Sequence, residues 1–425
     1  MSIAASLSSD KATDQHVVRV VAVPDIPNLL SLLGESGGLS WVRGAQDNQD
    51  GLVAWGEVDR IELDGPERFS RAQRWWSAWC ARTSGDEPIA FASFAFSSQP
   101  GHSVVVVPQV AVRRHNGRTE LIVTGTSSTI NQLVDTAINF VTRPHSIRND
   151  IGNVEWNDGS RSVADWQASV ETAIARINAG ELDKVVLARD LVATLDAPLH
   201  IGALLNRLNA AYPECWTFSV DGLIGATPEL LVRRDGEQVT SRVLAGTVRR
   251  SSDSDRDGAL AAALLGSDKD QEEHAYAVAS VAAALASHCT DLDVPDQPFI
   301  LQLANVQHLA TDVTGQIVDA APVMALAASL HPTAAVCGTP TERAKLVINE
   351  IEGMDRGRYS GPVGWIDRVG DGEFGIALRC AQIENVERTT LRLFAGCGIV
   401  AGSTSESEVA ESNAKFAAMR NALTR

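Results

Sequence analysis

The spacing of apolar residues predicts a mixture of strands and helices. In the N-terminal third, four short apolar or alternating runs favour strands, namely "HVVRVVAV", "GLVAWGEV", "IAFASFAF" and "SVVVVPQVAVRR". The run "PERFSRAQRWWSAWC" favours a helix. Residues 142–162 are polar and irregular, which places the main internal boundary there and divides the chain into an N-terminal part, 1–150, and the remainder, 151–425.

The second part continues with alternating strand and helix patterns. A helix is predicted over 163–179, because apolar residues recur at intervals of three and four before Gly180. Strands are predicted in "DKVVLARDLVATL", within "CWTFSVDGLIGATPELLVRRDGEQVTSRVLAGT", and in "PFILQLANVQHLATDVTGQI", "SGPVGWIDR", "GEFGIALRCAQIE" and "TLRLFAGCGIV". Helices are predicted over 257–288, which is rich in alanine, near 322–330 and 340–353, and at the C-terminus. The turn "RVGDGE" between two strand patterns favours antiparallel pairing. Because strand and helix patterns occur along the whole chain, the predicted fold class is α/β.

Composition and charge narrow the classes of function. The 425 residues, 44% of them hydrophobic, suffice for a large core. A net charge of −17, without a basic run, argues against a nucleic-acid partner. The first residues lack a basic start followed by an apolar run, and "AYAVASVAAALASHC" is too short and too rich in alanine to cross a bilayer. We therefore expect a cytoplasmic protein without a membrane segment. Its six cysteines, scattered singly, are expected to be reduced.

Two acidic groups are candidates for a metal site. Glu408, Glu411 and Lys415 share one narrow helix face, and Asp270 and Glu273 lie three residues apart on another predicted helix. Carboxylates from two helices would form an oxygen-only site suited to Mg²⁺. Each group alone would also fit a solvated helix face. A zinc site fits less well, because no HExxH spacing is present.

Four further side chains are candidates for chemistry. Lys184 opens a predicted strand and would act as a base if its ammonium were neutral, so we expect its pKa to be depressed; a solvated lysine is the alternative. Glu229 follows a Thr-Pro turn and would keep its proton if it were buried, although it would also serve to cap the turn. His308 and Arg379 lie inside apolar strand patterns and would either bond within the core or hold an anionic ligand. The glycines of "LFAGCGIVAG" would bring backbone amides to a carboxylate or form a plain turn.

The order of several motifs resembles that of the chorismate-utilising enzymes, most closely the isochorismate synthases. These motifs are "DKVVLARD", "GATPELLV", "LAGTVRR", "SDKDQEEH", "VQHLAT", "LHPTAAVCGTP", "YSGPVGW", "ALRCAQI", "LFAGCGIV" and "ESEVAESNAKF". Residues 1–150 match more loosely. The resemblance implies a single chorismate-binding α/β domain, similar to anthranilate synthase component I, with two stacked, mainly antiparallel sheets flanked by helices.

The resemblance also implies roles for individual residues. Lys184 matches the base that activates water for attack at C2 of chorismate, and Glu229 matches the acid that protonates the departing C4 hydroxyl. Glu273 and Glu411 match ligands of Mg²⁺, with Asp270 and Glu408 as neighbouring acidic positions. The positions that match the substrate-binding set are Gly246, Thr247, His308, Ala335, Tyr359, Arg379, Gly396 and Lys415.

The branch of the family depends on fewer residues. Ala335 fits enzymes that use water, whereas threonine is usual there in anthranilate and aminodeoxychorismate synthases, which use ammonia, and in salicylate synthases. Those branches are the alternatives, followed by an inactive chorismate-binding regulator. Val243 and Ala334 replace family prolines and bear on loop geometry. We expect a monomeric isochorismate synthase whose partner is its small-molecule substrate, chorismate, and whose product feeds either menaquinone or siderophore biosynthesis.

Overall fold

The computed structural model of the protein describes residues 15–145, 150–304 and 306–424. The first fourteen residues, in which no targeting segment is expected, and residues 146–149 of the expected boundary lie outside this description. Among the helices of the described ranges, none has the length and apolar character needed to span a membrane.

The described residues form twenty-three strands. In chain order they are β1 His16–Val23, β2 Leu39–Arg43, β3 Asp50–Trp55, β4 Asp59–Leu63, β5 Ser84–Gly85, β6 Ile89–Ser93, β7 Ser103–Val107, β8 Val110–His115, β9 Arg118–Thr126, β10 Val154–Asp158, β11 Lys184–Leu195, β12 Trp216–Val220, β13 Leu223–Thr227, β14 Leu230–Asp235, β15 Gln238–Arg249, β16 Cys289–Asp293, β17 Phe299–Gln302, β18 Val306–Ile317, β19 Gly338–Thr339, β20 Pro362–Asp367, β21 Gly372–Ile376, β22 Cys380–Ile383 and β23 Thr390–Ile399.

Nine α-helices accompany the strands within the same ranges. They are α1 Arg68–Ala81, α2 Ile130–Val141, α3 Val163–Asn178, α4 Ile201–Ala211, α5 Ser254–Leu265, α6 Asp268–Leu285, α7 Val323–Leu330, α8 Thr341–Ile351 and α9 Ser405–Thr424.

The strands assemble into two sheets. Sheet A has the order β10-β11-β23-β22-β13-β12-β2-β3-β8-β9-β1-β5, with β19 beside β11. Sheet B has the order β16-β18-β15-β14-β21-β20-β6-β7-β4, with β17 beside β18. Paired strands in the described ranges run antiparallel, apart from the short parallel pair β1 and β5. Strands from the N-terminal third extend both sheets, and the turn in "RVGDGE" joins β20 to antiparallel β21, as the sequence predicts.

The two sheets pack face to face around an apolar layer. Trp41 and Phe218 of sheet A meet Phe91 and Val363 of sheet B in one buried cluster. Helices α2, α4 and α9 cover the outer face of sheet A, and α1, α6 and α7 cover sheet B. The expected α/β fold with two stacked, mainly antiparallel sheets and flanking helices is thereby confirmed.

Three local predictions are wrong. The helix predicted over 257–288 is divided into α5 and α6, because Gly266 ends the first and the Ser267 hydroxyl accepts the Asp270 amide to cap the second. The stretch "GEFGIALRCAQIE" is two strands in different sheets, with Arg379 between them. The segment 142–162, read as irregular, contains β10, which pairs with β11.

Candidate active site

Lys184 and Glu273 meet where strand β11 begins. Lys184 Nζ donates to Glu273 Oε1 at 2.5 Å, and the side chains are 12% and 27% exposed. Both residues line an open cavity of about 330 Å³, together with Asp183, Tyr276 and others from α6 and β19. This cavity gives the lysine a route to solvent and to small molecules.

Asp270 lies in the first turn of α6, beside a bulge in β15. The pairing of β15 with β18 shifts register between Ala245 and Thr247, which leaves Gly246 as the extra residue at φ +69°. A Cβ at Gly246 would lie 3.3 Å from Cβ of Asp270, so the glycine backbone and the acidic helix turn approach closely. The divided helix that the sequence missed is what places Asp270 there.

His308 faces this bulge from β18. Its Nδ1 lies 2.9 Å from Thr247 Oγ1 and 3.3 Å from the Gly246 carbonyl oxygen. Burial, followed by the nearby charges of Arg379 and Lys415, lowers the pKa of His308 to about 3, so the ring is neutral. Its Nε2 is buried without a hydrogen-bond partner in the described part of the chain, which leaves one ring nitrogen for a ligand.

Glu229 and Arg379 lie on two neighbouring crossovers between the sheets. Glu229 connects β13 of sheet A to β14 of sheet B, and Arg379 connects β21 of sheet B to β22 of sheet A, at φ +47°. The crossovers are bonded to each other, because the Ile376 amide donates to the Glu229 carbonyl at 3.1 Å and the Ala226 amide to the Arg379 carbonyl at 3.2 Å. The Arg379 guanidinium is half-buried and donates no hydrogen bond to the described residues. It is therefore available to an anion.

The carboxyl group of Glu229 is suited to keep its proton. The residue is 6% exposed. Burial raises the pKa of Glu229 to about 8, although Arg379, Lys184 and Lys415 act in the opposite direction. A water-sized cavity of about 10 Å³ adjoins Glu229 and is also lined by Ala335 and Thr333.

Helix α9 carries the second acidic pair and a lysine. Lys415 Nζ lies 2.6 Å from Glu411 Oε1 and donates to the Gly396 carbonyl at 2.8 Å. Burial acts to lower the pKa of Lys415, but Cys397 and Glu411 outweigh it and raise that pKa above its ordinary value. Burial acts to raise the pKa of Glu411, and the Lys415 ammonium reverses this, so the carboxylate stays ionised. Ligand atoms of Glu408, Glu411 and Cys397 lie within 4.8 Å of one another.

Tyr359 closes the site above β23. Its ring stacks on Phe394 at 5.1 Å between centroids, and burial raises the pKa of its phenol, so the hydroxyl keeps its proton. A Cβ at Gly396 would lie 3.0 Å from the Tyr359 hydroxyl. A side chain at this position would require the tyrosine hydroxyl to shift by a few tenths of an ångström.

Comparison with known proteins assigns the family. A family model described as chorismate binding enzyme matches residues 7–424. The chain belongs to this family. The two-sheet fold and the order of the motifs agree with that assignment.

Members of the family with related sequences carry more specific names. The chain is 43% identical over 271 residues to isochorismate synthase DhbC of Bacillus subtilis (strain 168), covering 61% of this chain and 67% of that protein. It is 32% identical over 398 residues to the salicylate biosynthesis isochorismate synthase of Pseudomonas aeruginosa, covering 88% and 83%. The crystal structure of a putative 2,3-dihydroxybenzoate-specific isochorismate synthase, DhbC from Bacillus anthracis, matches with a TM-score of 0.76 and 31% identity, covering 93% and 98%.

The acidic residues of this family member fit a hard divalent cation. The available ligands are carboxylate oxygens, because burial raises the pKa of the Cys397 thiol and its Sγ donates to the Glu408 carbonyl oxygen. Glu273 and Glu411 each face an ammonium in this structure, so both sites already balance negative charge with a cation. Gly398 of β23 adjoins the Lys184–Glu273 pair, and Cys397, the preceding residue, adjoins Glu408 and Glu411.

Sequence reasoning missed several side chains that support the site. His274 anchors α6 to β18, with Nε2 2.7 Å from Thr311 Oγ1, and burial lowers its pKa to about 4. Glu352 and Arg356 form a buried ion pair behind β11. The spacing of four residues between Glu352 and Arg356, at the end of a predicted helix, is the sequence feature that indicates this ion pair.

Proposed function

We propose that this chain is an isochorismate synthase that interconverts chorismate and isochorismate with Mg²⁺. Membership of the family and the names of its relatives support the substrate class. The observation that carries the proposal is that Glu229, a carboxyl group only 6% exposed, and Lys184 line neighbouring cavities that share Ala277 as a wall. An acid and a base around one pocket match a reaction that exchanges one hydroxyl group for another without a redox step.

Lys184 and Glu229 divide the proton transfers. Lys184, in its neutral form, takes a proton from water while the water oxygen forms a bond to C2 of chorismate. The ring double bonds shift as the C4–O bond breaks, and Glu229 gives its proton to the departing hydroxyl, which leaves as water. In the reverse direction Glu229 takes the proton and Lys184 supplies it, so the same residues serve both directions.

Cationic and polar groups bind the dianionic substrate. In this proposal Arg379 and Lys415 contact its carboxylates, Tyr359 and the Gly396 backbone bound the pocket, and the free Nε2 of His308 faces the ring. The bulge at Gly246 and Thr247 shapes the opposite wall. These groups make the electrostatic potential of the pocket positive, although the protein as a whole has a net charge of −17.

Mg²⁺ is the cofactor that the acidic residues fit best. Glu273 and Glu411 would hold the ion, with Asp270 and Glu408 beside them. When bound, the ion supplies positive charge that stabilises the ring carboxylate of the substrate. We further propose that the enzyme is a monomer and place it in the cytoplasm.

Ala335 supports water as the nucleophile. It presents only a methyl group to the cavity beside Glu229, so this position adds no hydroxyl to bind ammonia. The test incubates the protein with chorismate and Mg²⁺, with and without ammonium, and separates the products by chromatography. Isochorismate in both reactions supports the proposal, whereas salicylate with pyruvate, or an aminated product, would assign another branch of the family. Binding of chorismate without conversion would indicate an inactive regulator.

A further inference from the structure

Glu352 and Arg356 form an ion pair in the interior of the protein. Arg356 Nε lies 2.7 Å from Glu352 Oε1, and Nη2 lies 2.6 Å from Oε2. The Arg356 side chain is 2% exposed and the Glu352 side chain is 1% exposed. Burying two charges is costly, and an apolar pair of similar volume is often as stable, so overall stability does not by itself account for this pair.

The pair binds the backbone of two other segments. Arg356 Nη2 donates to the Val186 carbonyl at 2.8 Å, and Nη1 donates to the Val336 carbonyl at 2.9 Å. Glu352 Oε2 accepts the Ala188 amide at 2.7 Å. One guanidinium and one carboxylate thus join strand β11 to the segment around Val336.

Both of these segments carry residues of the proposed site. Val186 lies two positions after Lys184 on β11, and Val336 directly follows Ala335. The segments also contact each other, because the Val186 amide donates to the Cys337 carbonyl at 2.9 Å. Directly after Cys337, β19 pairs with β11, and the Asp183 amide donates to the Thr339 carbonyl at 2.9 Å. The ion pair adds the side-chain hydrogen bonds that hold Val186 and Val336 to one guanidinium.

We propose that Glu352 and Arg356 are positioning residues that fix Lys184 relative to Ala335 and thereby help to select water as the nucleophile. The proposal rests on the proposed roles of Lys184 and Ala335. A planar guanidinium serves two carboxylate oxygens and two carbonyls at fixed angles, which a lysine ammonium, with its donors on one nitrogen, cannot do. The Arg356 guanidinium also lies over the Phe96 ring, with its Cζ 4.2 Å from the ring centroid, and this contact fixes the plane of the guanidinium.

The test compares Arg356→Lys with Arg114→Lys, a matched control. Arg114 is also buried, at 5% exposure, and also bonds two carboxylates and a backbone carbonyl, but it lies on β8 far along sheet A from β11. For Arg356→Lys we expect kcat to fall roughly ten- to hundredfold while KM for chorismate stays within about twofold. With ammonium present, we expect an aminated product to appear beside isochorismate. Arg114→Lys should lower thermal stability and leave the product ratio unchanged.

The product ratio separates positioning from simple loss of folded protein, because it does not depend on how much enzyme is active. An unchanged product ratio and unchanged kcat in folded Arg356→Lys, or equal effects in both variants, would overturn the proposal. If Arg356→Lys does not fold, Phe96→Leu replaces it, since this variant keeps both charges and removes the ring under the guanidinium, which also packs edge-on against His331. Its kcat and product ratio should move in the same direction, and no change in either would overturn the proposal. Conversion of chorismate by the unaltered chain in the same assay shows that any failure belongs to the positioning role and not to the proposed function.

Discussion

Lys184 Nζ lies 2.5 Å from Glu273 Oε1, so the proposed base is ion-paired with a proposed metal ligand. An ammonium and a divalent cation cannot both be the close partner of one carboxylate oxygen without repelling each other. Binding of Mg²⁺ is therefore expected to compete with this ion pair. The competition links the metal site to the base.

Removal of the lysine charge should strengthen metal binding. For Lys184→Met we expect the Kd for Mg²⁺, measured by calorimetry without substrate, to decrease by roughly three- to tenfold, because a repelling charge is lost. Catalysis should be lost at the same time. Lys345→Met is the control, since it removes a lysine paired with Glu342 at 2.7 Å on the surface. An unchanged Kd in Lys184→Met would show that the ion does not engage Glu273.

Protonation of Glu229 should set the alkaline limit of activity. A carboxyl group donates a proton only in its neutral form, and the pKa of Glu229 is raised to about 8. We expect kcat/KM to fall as the pH rises through about 8. Glu229→Gln should lower kcat roughly 10²- to 10⁴-fold. The control is Glu350→Gln, at an exposed ion pair with Arg176, which should have the kcat and the pH profile of the unaltered protein. An alkaline limb that persists in the residual activity of Glu229→Gln would assign the titration to another group.

The same carboxyl group should make stability depend on pH. The folded pKa of about 8 exceeds the ordinary value of 4.5 for a glutamate. Between these pH values the folded protein therefore binds more protons than the unfolded chain, and the free energy of unfolding falls as pH rises. Glu229→Gln removes this pH-dependent decrease in the free energy of unfolding, because glutamine does not titrate. Its free energy of unfolding relative to the parent should rise between pH 5 and pH 8, by roughly 3 to 5 kcal/mol if the full shift applies. Denaturant titrations at the two pH values measure this, and an equal difference at both would contradict a neutral Glu229.

Contact between Gly396 and Tyr359 can be tested with a double-mutant cycle. A Cβ at Gly396 would lie 3.0 Å from the Tyr359 hydroxyl, so Gly396→Ala should lower kcat/KM by displacing the tyrosine. The decrease should be smaller in the Tyr359→Phe background, where that oxygen is absent. Gly402→Ala, at a glycine with no heavy atom within 4 Å of the new Cβ, should have little effect. Equal effects of Gly396→Ala in both backgrounds would show that the contact is not the cause.

Local patterns in the sequence predicted most individual elements. β1 occupies the run "HVVRVVAV", α7 lies within the predicted range 322–330, and the helix before Gly180 is α3. These segments have regular apolar spacing and clear ends. The pattern predicts a single helix over 257–288 because alanine favours helix on both sides of Gly266, and only the capping hydroxyl of Ser267 marks the interruption.

The spacing of residues along the sequence does not predict which distant segments meet in the fold. Arg379 reads as part of one strand, yet the chain leaves sheet B before it and enters sheet A after it, and this crossover is what sets Arg379 beside Glu229. The resemblance to the family named the site residues, but it said nothing about Arg356, whose importance depends on contacts with Val186 and Val336, 170 and 20 positions away. Contacts of this kind appear only when the sheets are assembled.

The most direct test of the central claim follows oxygen during one turnover. The protein is incubated with chorismate and Mg²⁺ in water enriched in heavy oxygen, and isochorismate is isolated early and analysed by mass spectrometry. Attack by water at C2 predicts isochorismate that carries one heavy oxygen, located at C2. Isochorismate without the label would show that the original hydroxyl migrates within the substrate, and would contradict the roles proposed for Lys184 and Glu229.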